Sequence, residues 1–153
     1  MTNRSSQPAI RLLVFDVNGV LYHYDPDARV EMLAKALDRS PREVEDAMFT
    51  SGLEEAADSG RVRPDEYLHQ LSEQLDAAVD RDTWRSALIE STSPNEPLHR
   101  LIADLRQAGR LDDMQVLTLS NNGLLVREEA SIIFPELEGF EDFLRSLGVA
   151  PAV

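Results

Sequence analysis

The feature that most constrains this chain is a pair of short apolar runs set roughly 95 residues apart, each ending in a polar turn that contains glycine. The first, RLLVFDVNGVLY at 11–22, runs through LLVF into Asp16, Asn18 and Gly19. The second, MQVLTL at 114–119, runs into Ser120-Asn121-Asn122-Gly123. Their length and branched, apolar content predict buried strands rather than helices. Two buried strands with polar carboxyl ends suit a parallel sheet whose site forms along that edge.

The stretch between them reads as helix throughout. Val30, Leu33, Ala34 and Leu37 share one helical face. Ser40-Pro41-Arg42-Glu43 is a capping box with proline at the first helical position. Gly60 can end one element, and Pro64-Asp65-Glu66 opens another that turns Tyr67, Leu68, Leu71 and Leu75 inward. A helix over 80–90 carries Trp84 and Leu88, and Leu98, Leu101, Ile102 and Leu105 repeat the one-face pattern. A parallel crossover needs only about a dozen residues. The surplus predicts an insertion: a helical cap at 25–92, a partial α/β core at 10–24 and 93–153, and a disordered leader at 1–9. After Gly123 the pattern predicts a helix to about 133, then Phe134-Pro135-Glu136-Leu137, then a last helix near 141–147. The fold class expected is α/β, an incomplete Rossmann-like parallel sheet with a helical cap inserted after the first strand.

Charge narrows the function classes. Across 153 residues, 28 acids face 15 basic residues, a net charge of −13. That disfavours nucleic acid as a partner, because phosphate contacts need clustered cations. Lys35 is the sole lysine. An anionic substrate must then be held by a metal ion, backbone N–H groups or one well-placed cation. Cysteine is absent, which removes thiolate nucleophiles and cysteine metal sites. No apolar run is long enough to span a bilayer, and MTNRSSQPAI is not a secretory signal, so a cytoplasmic location is expected.

Asp16 is the first candidate for chemistry. A carboxylate just after a buried strand sits at the lip of the sheet, and Gly19 lets the chain turn there. Such a group can attack phosphorus or carbon, and can also ligate Mg²⁺. In isolation the tripeptide suits a turn aspartate bonded to its own backbone better. Its context reverses that reading.

FDVNGVLY resembles the first motif of the haloacid dehalogenase-like (HAD) hydrolase superfamily, an apolar strand followed by D-x-D-G-[TV]-[LV]. LTLSNN resembles the second motif, and the helices between look like the cap of the phosphatase branch, as does the later Phe134-Pro135-Glu136-Leu137. The resemblance covers about 10–138. It implies Asp16 as nucleophile and Mg²⁺ ligand, with the backbone carbonyl of Asn18 as a second ligand. It implies Ser120, Asn121 and Gly19 at the substrate, a small phosphorylated metabolite hydrolysed through an aspartyl-phosphate. The Ser120 turn equally suits a helix cap.

Three departures accompany it. Asn18 stands where phosphatases of the family carry the aspartate that protonates the leaving group, and an amide cannot do so. A residue other than aspartate there is familiar in the dehalogenase branch. The motif-three lysine is missing; Lys35 lies in the cap, and Arg127 reads as a solvated helix residue. The paired acids of motif four are missing as well, since Glu138, Glu141 and Asp142 read as a solvated helix start. The chain is thus expected to stop short of the third and fourth motifs. A non-catalytic relic or binding module and a carbon-attacking dehalogenase-like hydrolase stay open beside the phosphatase reading, and exposed sheet edges predict self-association. Among weaker candidates, His23 and Tyr24 suit either the cap–core cleft or aromatic packing. Ser51-Gly52-Leu53-Glu54 suits a specificity loop or a helix turn. His69 and His99 read as surface residues, and Trp84 as cap core.

Overall fold

The computed structural model describes residues 10–145, with side chains to Phe140. The leader at 1–9 and the last residues, 146–153, lie outside it. Strand β1 (Leu12–Asp16) pairs in parallel with β4 (Gln115–Ser120), and β4 pairs in parallel with β5 (Glu141–Arg145). The sheet order is β1-β4-β5. The register sets Asp16 opposite Leu119, so Asp16 and Ser120 finish neighbouring strands at the same end of the sheet. Helix α6 (Glu96–Gln107) is the crossover before β4, and α7 (Leu124–Ile133) follows its polar turn. The expected α/β fold is therefore what the chain adopts.

Two short strands had no signal of their own in the sequence. Strand β2 (Tyr22–Tyr24) pairs antiparallel with β3 (Thr92–Pro94). The ribbon is extended at both ends, by Asp25 N–H donating to the Ser91 carbonyl at 2.9 Å and Asn95 N–H donating to the Leu21 carbonyl at 2.8 Å. Between its strands lie α1 (Pro26–Leu37), α2 (Pro41–Glu45), a π-helical turn (Asp46–Thr50), α3 (Leu53–Asp58), α4 (Pro64–Leu75) and α5 (Arg81–Glu90). Each boundary has a local cause. Asp25 caps α1 by accepting from Ala28 N–H at 3.0 Å, and Asp80 caps α5 by accepting from Thr83 N–H at 2.7 Å. Ser40 and Glu43 form the reciprocal capping box of α2. Inside, Leu33, Met48, Leu71 and Trp84 are almost wholly buried, which places Trp84 in the core of the helical segment.

The C-terminal expectation is overturned. Residues 141–145 form a strand, not the start of a helix, and among the described residues the parallel sheet has three strands where two were legible. Phe140, Phe143, Leu144 and Leu147 carry helical spacing, but the open edge of β4 offers a row of unpaired N–H and C=O groups. Pairing with that edge overrides local propensity. Glu141 and Asp142 thus open a strand rather than a helix. They stand at its amino end, whereas Arg145 pairs with Ser120 at the other. Glu141 and Asp142 therefore begin β5 at the end of the sheet opposite Asp16 and Ser120.

Candidate active site

The loop after β1 is a tight turn fixed by its own backbone. Tyr22 N–H donates to the Val17 carbonyl at 2.8 Å, and Gly19 N–H donates to the Tyr22 carbonyl at 2.7 Å. Gly19 has φ +82°, and a Cβ there would meet nothing within 4 Å. Its requirement is conformational, not one of space. Asp16 is exposed at the strand end; its Oδ1 accepts from Val17 N–H at 2.8 Å. Its other oxygen has no protein partner among the described residues. The turn-aspartate contact and a free, outward carboxylate oxygen thus coexist.

Ser120 is buried, and its Oγ accepts from Asn122 N–H at 3.1 Å. The two turns are tied by side chains: Asn18 Nδ2 donates to Asn122 Oδ1 at 3.0 Å. Asn18 Oδ1 and Asn122 Nδ2 are buried without a partner. An unsatisfied buried amide is costly, so these atoms are poised for water or a ligand.

Over these turns sits a cleft of about 280 Å³. Asn18, Asn121 and Asn122 line its floor, and Tyr24, Arg29, Glu54 and Asp58 line its wall. Asp16, Gly19 and Ser120 are not among its lining residues. The wall is built round Arg29, which is 2% exposed. Arg29 donates to Glu54 Oε1 at 2.6 Å and to the Tyr24 hydroxyl at 3.3 Å, and stacks over Trp84 at 5.5 Å. Tyr67 donates to the other Glu54 oxygen at 2.5 Å. Burial opposes the Arg29 charge, but Glu54 and the tyrosines outweigh it and hold the guanidinium above its ordinary range. Burial, then Glu54, pushes the Tyr67 phenol well up. Asp58 Oδ1 accepts from Gly123 N–H at 2.8 Å, and a Cβ on Gly123 would come within 2.9 Å of the Ala57 carbonyl oxygen. Helix α3 therefore rests directly on the start of α7.

The sequence candidates divide accordingly. The fold brings Asp16, Asn18, Ser120, Asn121 and Asn122 to one end of the sheet. Tyr24 and Glu54 reach the cleft, while His23 is exposed. Ser51 closes a turn, its Oγ accepting from Leu53 N–H at 3.1 Å. Arg127, Lys35 and Glu138 are exposed. His69 lies on the surface beside Glu73, but His99 does not fit the surface reading. It is half-buried, with Nε2 at 3.0 Å from the Leu21 carbonyl and its ring against Tyr22. Arg29 and Asp58 were missed: nothing in the sequence distinguishes them from solvated helix charges. A larger cavity, about 480 Å³, lies between β4 and α7 beside Phe134 and Phe140, and holds neither Asp16 nor the asparagines.

Among the described residues no group of three or more histidine or acidic side chains converges to hold a metal. At the sheet end stands the Asp16 carboxylate, with one oxygen free of protein partners among the described residues. Mg²⁺ commonly takes one or two carboxylates and completes its shell with water and substrate phosphate. Asp16 alone meets the one-carboxylate minimum of such a site.

No protein-family model matches the sequence, and no curated protein matches it. Solved structures do. A HAD family enzyme from Bacteroides thetaiotaomicron, in complex with magnesium and inorganic phosphate, superposes with a TM-score of 0.62 at 19% identity, over 81% of this chain and 59% of its own. A predicted HAD-like family hydrolase from Porphyromonas gingivalis gives 0.60 at 25% identity, over 79% and 56%. A magnesium complex of the Bacteroides enzyme gives 0.57 at 20% identity, over 80% and 58%. The chain spans less than three fifths of each of these structures. Over that span its fold is that of the HAD hydrolases.

Proposed function

For a chain with the HAD hydrolase fold, we propose that Asp16 is a nucleophile toward small phosphate esters, forming an aspartyl-phosphate that water then hydrolyses. One observation carries this reading: the β1–β4 register brings Asp16 and Ser120 to the same end of adjacent parallel strands, with their turns joined through Asn18 and Asn122. A phosphoryl group there would meet the free Asp16 oxygen and the Ser120–Asn121 turn, whose N–H groups stabilise developing charge. Asp16 and the Asn18 carbonyl would hold Mg²⁺, which when bound neutralises charge on phosphoryl oxygens. The substrate is a small phosphorylated metabolite seated in the cleft under Arg29. Residues 25–92 act as its cap, and the protein works in the cytoplasm.

The test is turnover of 4-nitrophenyl phosphate with Mg²⁺ by the full chain. Activity that Asp16→Asn removes supports the reading; activity that survives it overturns it. The Asn18 amide, fixed to Asn122, favours two further readings. A binding module would take up phosphate esters without releasing phosphate. A dehalogenase-like hydrolase would release halide from a 2-haloacid in the presence of chelator.

A further inference from the structure

Asn18 is the one side chain of the 16–22 loop that lines the cleft, so a leaving group seated there meets an amide. That amide is held to Asn122 at 3.0 Å. Whichever way the two amides are turned, neither can supply a proton near neutral pH. The cleft's two carboxylates belong to the wall and are engaged there: Glu54 by Arg29 and Tyr67, Asp58 by Gly123 N–H. The Tyr24 hydroxyl accepts from Arg29. The nearby histidines are turned elsewhere, His23 to solvent and His99 to the Leu21 carbonyl. Among the described residues no carboxyl group or imidazole is left free in the cleft beside Asn18, and the remaining O–H, the Tyr24 phenol, belongs to the wall against Arg29.

From this we propose that the chain acts on phosphates whose leaving group departs as a stable anion, aryl or acyl phosphates, and discriminates against alkyl phosphates. The proposal rests on Asp16 as nucleophile. In the first step an Asp16 oxygen forms a bond to phosphorus while the bond from phosphorus to the leaving oxygen breaks. The leaving group takes the electron pair and no proton. In the second step water attacks phosphorus and the Asp16–phosphorus bond breaks, which restores the carboxylate. Both water protons stay on the product as dihydrogen phosphate. The unpartnered Asn18 Oδ1 can orient that water as an acceptor without taking its proton. An alkoxide leaving group needs a proton in the transition state, and lacking a positioned acid costs about 10²–10⁴ in rate.

The experiment measures kcat/KM of the unaltered full chain, with Mg²⁺, on a series of substituted phenyl phosphates, acetyl phosphate and an alkyl phosphate. The expected profile falls steeply as the leaving group becomes more basic, with the alkyl ester about 10²–10⁴-fold below the most acidic phenol. Asn18→Asp should flatten the profile and raise alkyl turnover, since Asn122 Nδ2 has a free N–H for the new carboxyl; circular dichroism checks that the variant folds. A flat profile in the unaltered chain overturns this proposal and leaves the Asp16 reading intact. Absence of turnover on every substrate, including acetyl phosphate, overturns both.

Discussion

Arg29 carries a full charge into the interior of the helical segment, and among the described residues Glu54 is the carboxylate that pairs with it. A buried ion pair contributes little by itself, but removing one partner strands the other without solvent. Glu54→Leu should therefore cost about 3–5 kcal/mol in urea unfolding, and the double change with Arg29→Met should recover much of that loss. If the double variant is as unstable as the single one, the pair is not the source of the cost. This contact also shows where single residues stop being readable. Asp16 and Ser120 could be picked out because each ends an apolar run and the two turns together resemble the motifs of one family, whereas either turn alone suits a backbone-bonded or capping residue. Arg29 sits one position from Val30 on an amphipathic helix, where a charge reads as solvated until its partner 25 residues away is known. Asp58 is hidden for the same reason, its role existing only because Gly123 lies beneath it.

At the scale of elements, helices were legible from capping chemistry that is local: Ser40 with Glu43, proline after Arg63, Asp80 before α5. Strands β2 and β3 were not, because three residues each carry no usable period and each finds its partner only across the whole helical segment. Strand β5 was misread for the opposite reason, a local helical period losing to a partner edge. Packing between elements makes a further prediction. Helix α5 grips α7 through Arg85 to Glu129 at 2.7 Å and Arg81 to Glu129 at 3.1 Å and to Glu128 at 2.7 Å. The Arg85 hydrogen bond, joined by Arg81, holds the Glu129 carboxyl below its usual value of 4.5. A depressed carboxyl contributes stability that is complete above that value and is lost as pH falls through the lower folded one. Unfolding midpoints taken from about pH 6 to about pH 3 should fall, and Glu129→Gln should be less sensitive over the acid part of that range. An unchanged acid profile in the variant would remove Glu129 from the account.

Considered whole, the described molecule has one face of its sheet only partly covered. Strand β1 is an edge, and Ile10, Leu12 and Val14, on one side of it, are 66%, 48% and 46% exposed. Unpaired edges and apolar strips of this kind invite association. Sedimentation of the full chain should show self-association that Leu12→Glu with Val14→Lys weakens, alongside a thermal midpoint at or below about 65 °C. A monomer at every concentration would exclude the edge as an interface. The β2–β3 ribbon, finally, bears on how such a chain reaches its fold at all. Leu12 and Gln115 must find each other from roughly a hundred residues apart. Once helices α1–α5 have formed and the ribbon has zipped, the effective loop is about threefold shorter, which lowers the closure cost by about 1 kcal/mol. The ribbon is then a kinetic staple: the inserted helices, which form from local contacts, would precede the sheet rather than decorate it.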